Sequence, residues 1–243
     1  MTRLQHRLQS LTPLAALASA FAFVAVQVSA HAASSATEAA APSTTTESLA
    51  PRLAVGDVVF IRVPALPFRK IAAATDSWTN HVGIVLDVSG AEPVIAESRF
   101  PLSGSTPWSR FVARSEGGRV AVMRLNEALT PHQQQAIVTA AERRRGVFYD
   151  TGFDLHSRRQ FCSRFVREVV AEATGTPLGE VETLASLFAR QPAADLGFWR
   201  VWYFGSIPWQ RQTVTPASLL RSGHLHPVFD GAVQGPKPRE PAT

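Results

Sequence analysis

Cys162 is the only cysteine among 243 residues, and it opens the stretch "CSRFVREVVAEATG". Within that stretch Cys162, Phe165, Val166, Val169, Val170 and Ala173 recur at helical spacing. Arg164, Arg167, Glu168 and Glu172 take the other face, and Gly175 supplies a stop. A cysteine on an apolar stripe packs as a small hydrophobe, and on pattern alone that is the better reading. Its place in the first helical turn supports another reading. Free N–H groups and the positive dipole end favour thiolate, the form that attacks carbonyl carbon. A thiolate nucleophile then needs a base.

Seven histidines are available. His81 begins an apolar run, "HVGIVLDV", with Gly83 leaving room beside its ring. His156, six residues before Cys162, is the second choice for base. His132 reads as surface, and His224 with His226 forms an H-x-H pair without further ligands, so no metal site is expected. If the chain after Asp87 turns through a three-residue loop, Val88-Ser89-Gly90, Asp87 pairs with Ala91 and Glu97 falls opposite His81. The two then share a face of the sheet, and the carboxylate can accept Nδ1–H, leaving Nε2 for the thiol proton. A two-residue loop would set Ser98 there instead and turn Glu97 away.

The elements that must position these groups are four strands, at 56–63, 81–88, 92–100 and 118–125, and two helices. One helix follows Cys162. The other lies in "TPHQQQAIVTAAERRRG", with Thr130 as N-cap, Pro131 in the first turn, Gln133 completing a capping box and Gly146 beyond the end. About 180 residues, 52–234, are enough for one domain.

Residues 1–32 have the order of a secretory signal: Arg3 and Arg7, an apolar run, then small residues with Ala30-His31-Ala32 or Val28-Ser29-Ala30 as the cleavage box. Export to a periplasmic or extracellular space is the expectation, and a lone thiol there needs burial or a use. Residues 33–51 and 235–243 are rich in Ala, Ser, Thr, Pro and Glu and read as a disordered linker and tail. The formal net charge is +5, or +3 once Arg3 and Arg7 leave with the signal. That excess is too small and too patternless for nucleic acid, and suits peripheral contact with an anionic envelope surface.

"GDVVFI", "NHVGIVLD" and "AESRF", followed by "FYDTGFD" and "FCSRFV", resemble the permuted papain-like cysteine hydrolases of the NlpC superfamily, the YiiX/YebB kind. The resemblance implies an α+β, circularly permuted papain-like fold, with an antiparallel sheet packed against the helix that bears the nucleophile. It implies Cys162 as nucleophile, His81 as base and acid, Glu97 as the group orienting His81, and no cofactor. It also points to Tyr149 as a lining or oxyanion residue. The aromatic segment 196–211, with Trp202 and Trp209, has no counterpart in that pattern and reads as a groove or lid over the site. The implied activity is cleavage of amide or ester bonds through an acyl-enzyme, on cell-wall peptides or other envelope substrates. A lipid ester or amide hydrolase or acyltransferase is the alternative, and a non-catalytic binding module the second.

Overall fold

A computed structural model of the chain describes residues 42–235. The signal-like segment 1–32 and the tail beyond 235 lie outside the described residues. A seven-stranded sheet runs through the domain in the order β1 (Ser43–Thr45), β9 (Leu225–Gln234), β6 (Arg119–Leu125), β2 (Val58–Ile61), β3 (His81–Asp87), β4 (Val94–Glu97), β5 (Gly104–Pro107). Its centre is β2 (Val58–Ile61), flanked by the antiparallel strands β3 (His81–Asp87) and β6 (Arg119–Leu125). The four residues of β2 are fully buried and alternate between two cores, Val58 and Phe60 on one face, Val59 and Ile61 on the other. A strand covered on both faces reads as a continuous apolar run, which is why "VVFI" shows no polar alternation.

One face is covered by α4 (Pro131–Glu142) and α5 (Cys162–Thr174). The expected capping box is present in α4: Thr130 Oγ1 accepts from the Gln133 N–H at 3.2 Å, and the Gln133 side chain accepts from the Thr130 N–H at 3.0 Å. In α5 the predicted stripe is the buried one, and Gly175 ends the helix at φ 77° in the left-handed region that glycine tolerates best. The other face is covered by short helices, α1 (Thr46–Leu49) and α3 (Trp108–Val112), through Leu49, Trp108, Phe111 and Val112. A third cluster joins α2 (Leu66–Ala74), α6 (Leu184–Arg190) and α7 (Leu196–Trp202) around Phe188 and Trp199.

Two expectations are corrected. Residues 43–51 are not linker: β1 (Ser43–Thr45) pairs in parallel with the last strand, β9 (Leu225–Gln234), and α1 buries Leu49 completely. Composition hid this, because β1 draws its stability from the strand it joins and has no apolar pattern of its own. The sheet is otherwise antiparallel, as expected. The hairpin between β3 and β4 (Val94–Glu97) also differs. Its loop spans 88–93, with Asp87 Oδ1 accepting from the Ser89 N–H at 2.8 Å, and a bulge sits between Val85 and Asp87. Ile84 faces Ala96, so Glu97 lies across from Gly83, and His81 is diagonal to it. The loop is three residues longer than expected and the bulge returns one. The net slip of two preserves the face.

Candidate functional site

His81 is the first residue of β3 and Glu97 the last of β4, so the antiparallel pairing brings both to one end of the sheet. The Nε2 atom of His81 lies 2.6 Å from Oε2 of Glu97, with both side chains buried. Glu97 is held from three further sides. Thr106 Oγ1, on β5 (Gly104–Pro107), donates to Oε1 at 2.6 Å; Arg114 Nη2 donates to both oxygens at 2.9 and 2.7 Å; Arg99 Nε stands 3.7 Å away. Burial alone would push this carboxyl up, but His81, Arg114 and Thr106 together hold it down, at about 2. The imidazole is clamped edge-on by Phe68 and in a tilted stack by Phe111, each with ring centroids 5.9 Å away.

The structure exchanges the two ring nitrogens relative to the expectation. Glu97 takes Nε2, and Nδ1 has no nitrogen or oxygen partner, which leaves it as the nitrogen that meets the Cys162 thiol. Strand pairing places a residue on a face, but its rotamer decides which nitrogen points inward.

Cys162 begins α5 after Phe161, whose side chain caps nothing, so the first-turn N–H groups keep their positive end for an anion. The sulfur sits among His81, the Val82 backbone N–H and Tyr149. Burial raises the thiol, yet the His81 charge and these hydrogen bonds outweigh it and the net shift is downward. Burial likewise lowers His81, and the charge and hydrogen bond of Cys162, then those of Glu97, lift it to about 9. The arrangement favours a thiolate–imidazolium pair.

Tyr149 is carried by the loop before α5. Asp150 ties that loop down by accepting from the N–H groups of Gly152 at 2.8 Å and Asp154 at 2.9 Å, and Tyr149 bridges to Gln160. The Tyr149 hydroxyl is buried next to the thiol with no nitrogen or oxygen side-chain partner, and burial raises it well above the usual phenol value. "FYDTGFD" is thus the segment that presents Tyr149 on one side and Phe153, at φ 52°, on the other.

A small cavity, partly open to solvent, meets the site at Cys162 and Tyr149. The aromatic segment contributes to it through Trp199 and Tyr203. Trp202 and Trp209 do not line it, contrary to expectation. Trp202 stacks on Phe198 and donates Nε1 to the Thr151 carbonyl at 2.8 Å; Trp209 packs edge-on against Phe188 beside Asp154 and His156. Trp199 and Tyr203 lie four residues apart on one face of α7 and its end, Trp202 is one residue off that face, and Trp209 follows the helix. His156 is also remote, its Nε2 bound to Gln212 Oε1 at 2.8 Å. His224 is exposed and His226 meets Asn126. Arg114 and Thr106 went unread in the sequence: arginine is common in this chain, and "GSTP" carries no strand pattern.

The chain matches the family described as permuted papain-like amidase enzymes, YaeF/YiiX, C92 family, over residues 52–229. It is 27% identical over 173 residues to the uncharacterized protein YiiX of Escherichia coli K12, covering 71% of this chain and 84% of that one. The crystal structure of YiiX from Escherichia coli O157:H7, described as a metalloprotein, superposes with a TM-score of 0.68 at 26% identity, over 76% of this chain and 99% of that one. A thiol at a helix start facing a histidine from an antiparallel strand, with the strand preceding the helix in the chain, is the permuted papain-like order. The chain belongs to the YaeF/YiiX family of permuted papain-like amidases.

Proposed function

We propose that the protein is an exported cysteine amidase in which Cys162 is the nucleophile, His81 the acid and base, and Glu97 the positioning residue for His81. The observation that carries this reading is the buried line Cys162, His81, Glu97, in which Nε2 is occupied by the carboxylate and Nδ1 is left to the thiol. The thiolate adds to an amide carbonyl. The developing oxyanion is met by the Cys162 backbone N–H and the Tyr149 hydroxyl, which lie together beside the sulfur. As the C–N bond breaks, His81 Nδ1 gives its proton to the departing amine. Water then adds to the thioester, losing a proton to Nδ1, and the acid leaves as the thiol is restored. Esters, or an acceptor other than water, would use the same thioester. Cell-wall peptides and lipid-like acyl compounds are the two substrate classes.

The metal named for the E. coli O157:H7 relative does not fit the donor set here. Among the described residues no three His, Cys, Asp or Glu side chains converge, and the site offers only the Cys162 sulfur and one nitrogen of His81. No step is routed through a metal. The signal-like residues 1–32 support export, and amino-terminal sequencing of the protein from the extracytoplasmic fraction should begin after residue 30 or 32.

Alkylation of Cys162 followed across pH tests the pair. The rate should reach its plateau well below the free-thiol pKa of about 8.5, because the thiolate is already present beside the imidazolium, and should not fall when His81 loses its proton near 9, because the sulfur stays a thiolate. In His81→Ala labelling should slow and its onset should move to higher pH. Labelling that requires denaturation would overturn the nucleophile assignment.

A further inference from the structure

The turn that ends α7 is built against local preference. The Gly205 N–H donates to the Arg200 carbonyl at 2.7 Å and the Phe204 N–H to the Val201 carbonyl at 3.1 Å, the paired bonds of a Schellman turn. The left-handed residue in such a turn is usually glycine, and here it is Phe204, at φ 55°. Phe153 also has a positive φ, but its ring packs edge-on against Phe161 and Trp199, which offsets the strain. The Phe204 ring is 100% exposed and gains nothing from the fold. Val201, three residues earlier and so on the same side, is 79% exposed. Behind them the segment is fixed to the domain, with Trp202 Nε1 bound to the Thr151 carbonyl and the Tyr203 hydroxyl donating to the Gly152 carbonyl at 3.2 Å. The tip is therefore rigid, apolar and turned to solvent.

We propose that this tip docks the domain on an anionic lipid surface, with Val201 and Phe204 entering below the headgroups and Arg200 staying among the phosphates. The proposal stands apart from the amidase reading. Charge selects the partner. Residues 196–211 carry Arg200 and Arg211 and no acid. Arg211 is used inside the fold, donating to the Gly152 carbonyl at 2.9 Å and lying over the Tyr203 ring. Arg200 is exposed and free of ion pairs among the described residues. Asp195, the acid just before the helix, is neutralised by Lys70 at 2.6 Å. Area selects a bilayer over a protein. Two side chains of this size offer on the order of 300 Å², well under the ~800 Å² that each partner of a stable protein complex commits. Lipid chains need no matching pocket, and they reward each apolar group that enters them. Trp199 and Tyr203 of the same segment face inward toward Cys162, so docking through this turn keeps the site close to the lipid surface.

The test uses the full chain with vesicles of phosphatidylcholine alone or mixed in equal parts with phosphatidylglycerol. Sedimentation gives the partition coefficient, and hydrogen exchange over 200–206 reports whether the turn makes the contact. Anionic vesicles should slow exchange in that stretch, and neutral vesicles or raised salt should weaken binding. Phe204→Gly should lower the partition coefficient at least about tenfold, while its melting temperature is no lower, because glycine suits the turn. Arg200→Gln should lower it about fivefold on the anionic vesicles only. In both variants the alkylation rate of Cys162 in solution should be unchanged, so the tip and the amidase are read separately. Binding that Phe204→Gly leaves intact, with exchange over 200–206 unaltered, would move the contact elsewhere and overturn the proposal, as would no binding at all. Exchange that slows with protein concentration in the absence of vesicles would replace the lipid with a second copy of the chain.

Discussion

Glu97 carries a single negative charge shared between Arg114 and the imidazole of His81, and it is fully buried. A buried carboxylate with one cation removed would be costly, so the two cations are not redundant. Glu97→Gln keeps the shape and discards the charge. The kcat/KM should fall by about 100-fold or more, and the alkaline limb of the rate profile, set by His81 at about 9, should move to lower pH because the carboxylate no longer stabilises the imidazolium. A stopped pH–rate series on both proteins would show the shift; an unchanged limb would mean that Glu97 does not govern His81. At this scale much was legible. Cysteine, histidine and a carboxylate are the residue types that can do this chemistry, and few of each compete. Arg114, Thr106 and the choice of ring nitrogen were not legible, because they follow from side-chain conformation and from a strand without apolar alternation.

At the scale of elements, α4, α5 and the central strands could be read because capping residues and periodicity act locally. β5 and β9 could not. "GSTP" has no apolar residue on alternate positions, and β9 contains Pro227, which falls where the ladder with β6 shifts register between Val122 and Met123. Gly231 of β9 gives a test of the corrected amino-terminal boundary. The Ala232 N–H donates to the Pro42 carbonyl at 2.8 Å, and a Cβ on residue 231 would lie 2.0 Å from that same oxygen. Gly231→Ala should therefore push β1 off the sheet and lower the unfolding free energy by about 1–3 kcal/mol, with the alkylation rate of Cys162 unchanged. Urea unfolding of the two proteins measures it. An unshifted midpoint would return residues 43–51 to linker.

At the scale of the whole molecule, the same buried pair makes stability depend on pH from both sides. Glu97 sits at about 2 in the fold against an ordinary 4.5, so its contribution is present above 4.5 and is lost as pH falls toward 2. His81 is raised from 6.5 to about 9, so its contribution is complete below 6.5 and is lost as pH climbs to 9. Each shift corresponds to something on the order of 3 kcal/mol, and the two are not additive because they share one contact. The urea midpoint should be greatest between about 4.5 and 6.5, and the acid slope should flatten in Glu97→Gln. The parallel pairing of β1 with β9 has a different consequence, one of timing. Ser43 lies beside Ala232, and β6 has β9 as its outer neighbour. As the chain emerges amino-terminus first from the export channel, the hairpins of β3, β4 and β5 can pair, so the His81–Glu97 end of the sheet can form early. The opposite edge waits for nearly the last residues of the domain, with the apolar ladder of β6 open until then. Completing this sheet is the last event of the chain's passage, and a chain truncated before residue 225 should populate an aggregating partial sheet.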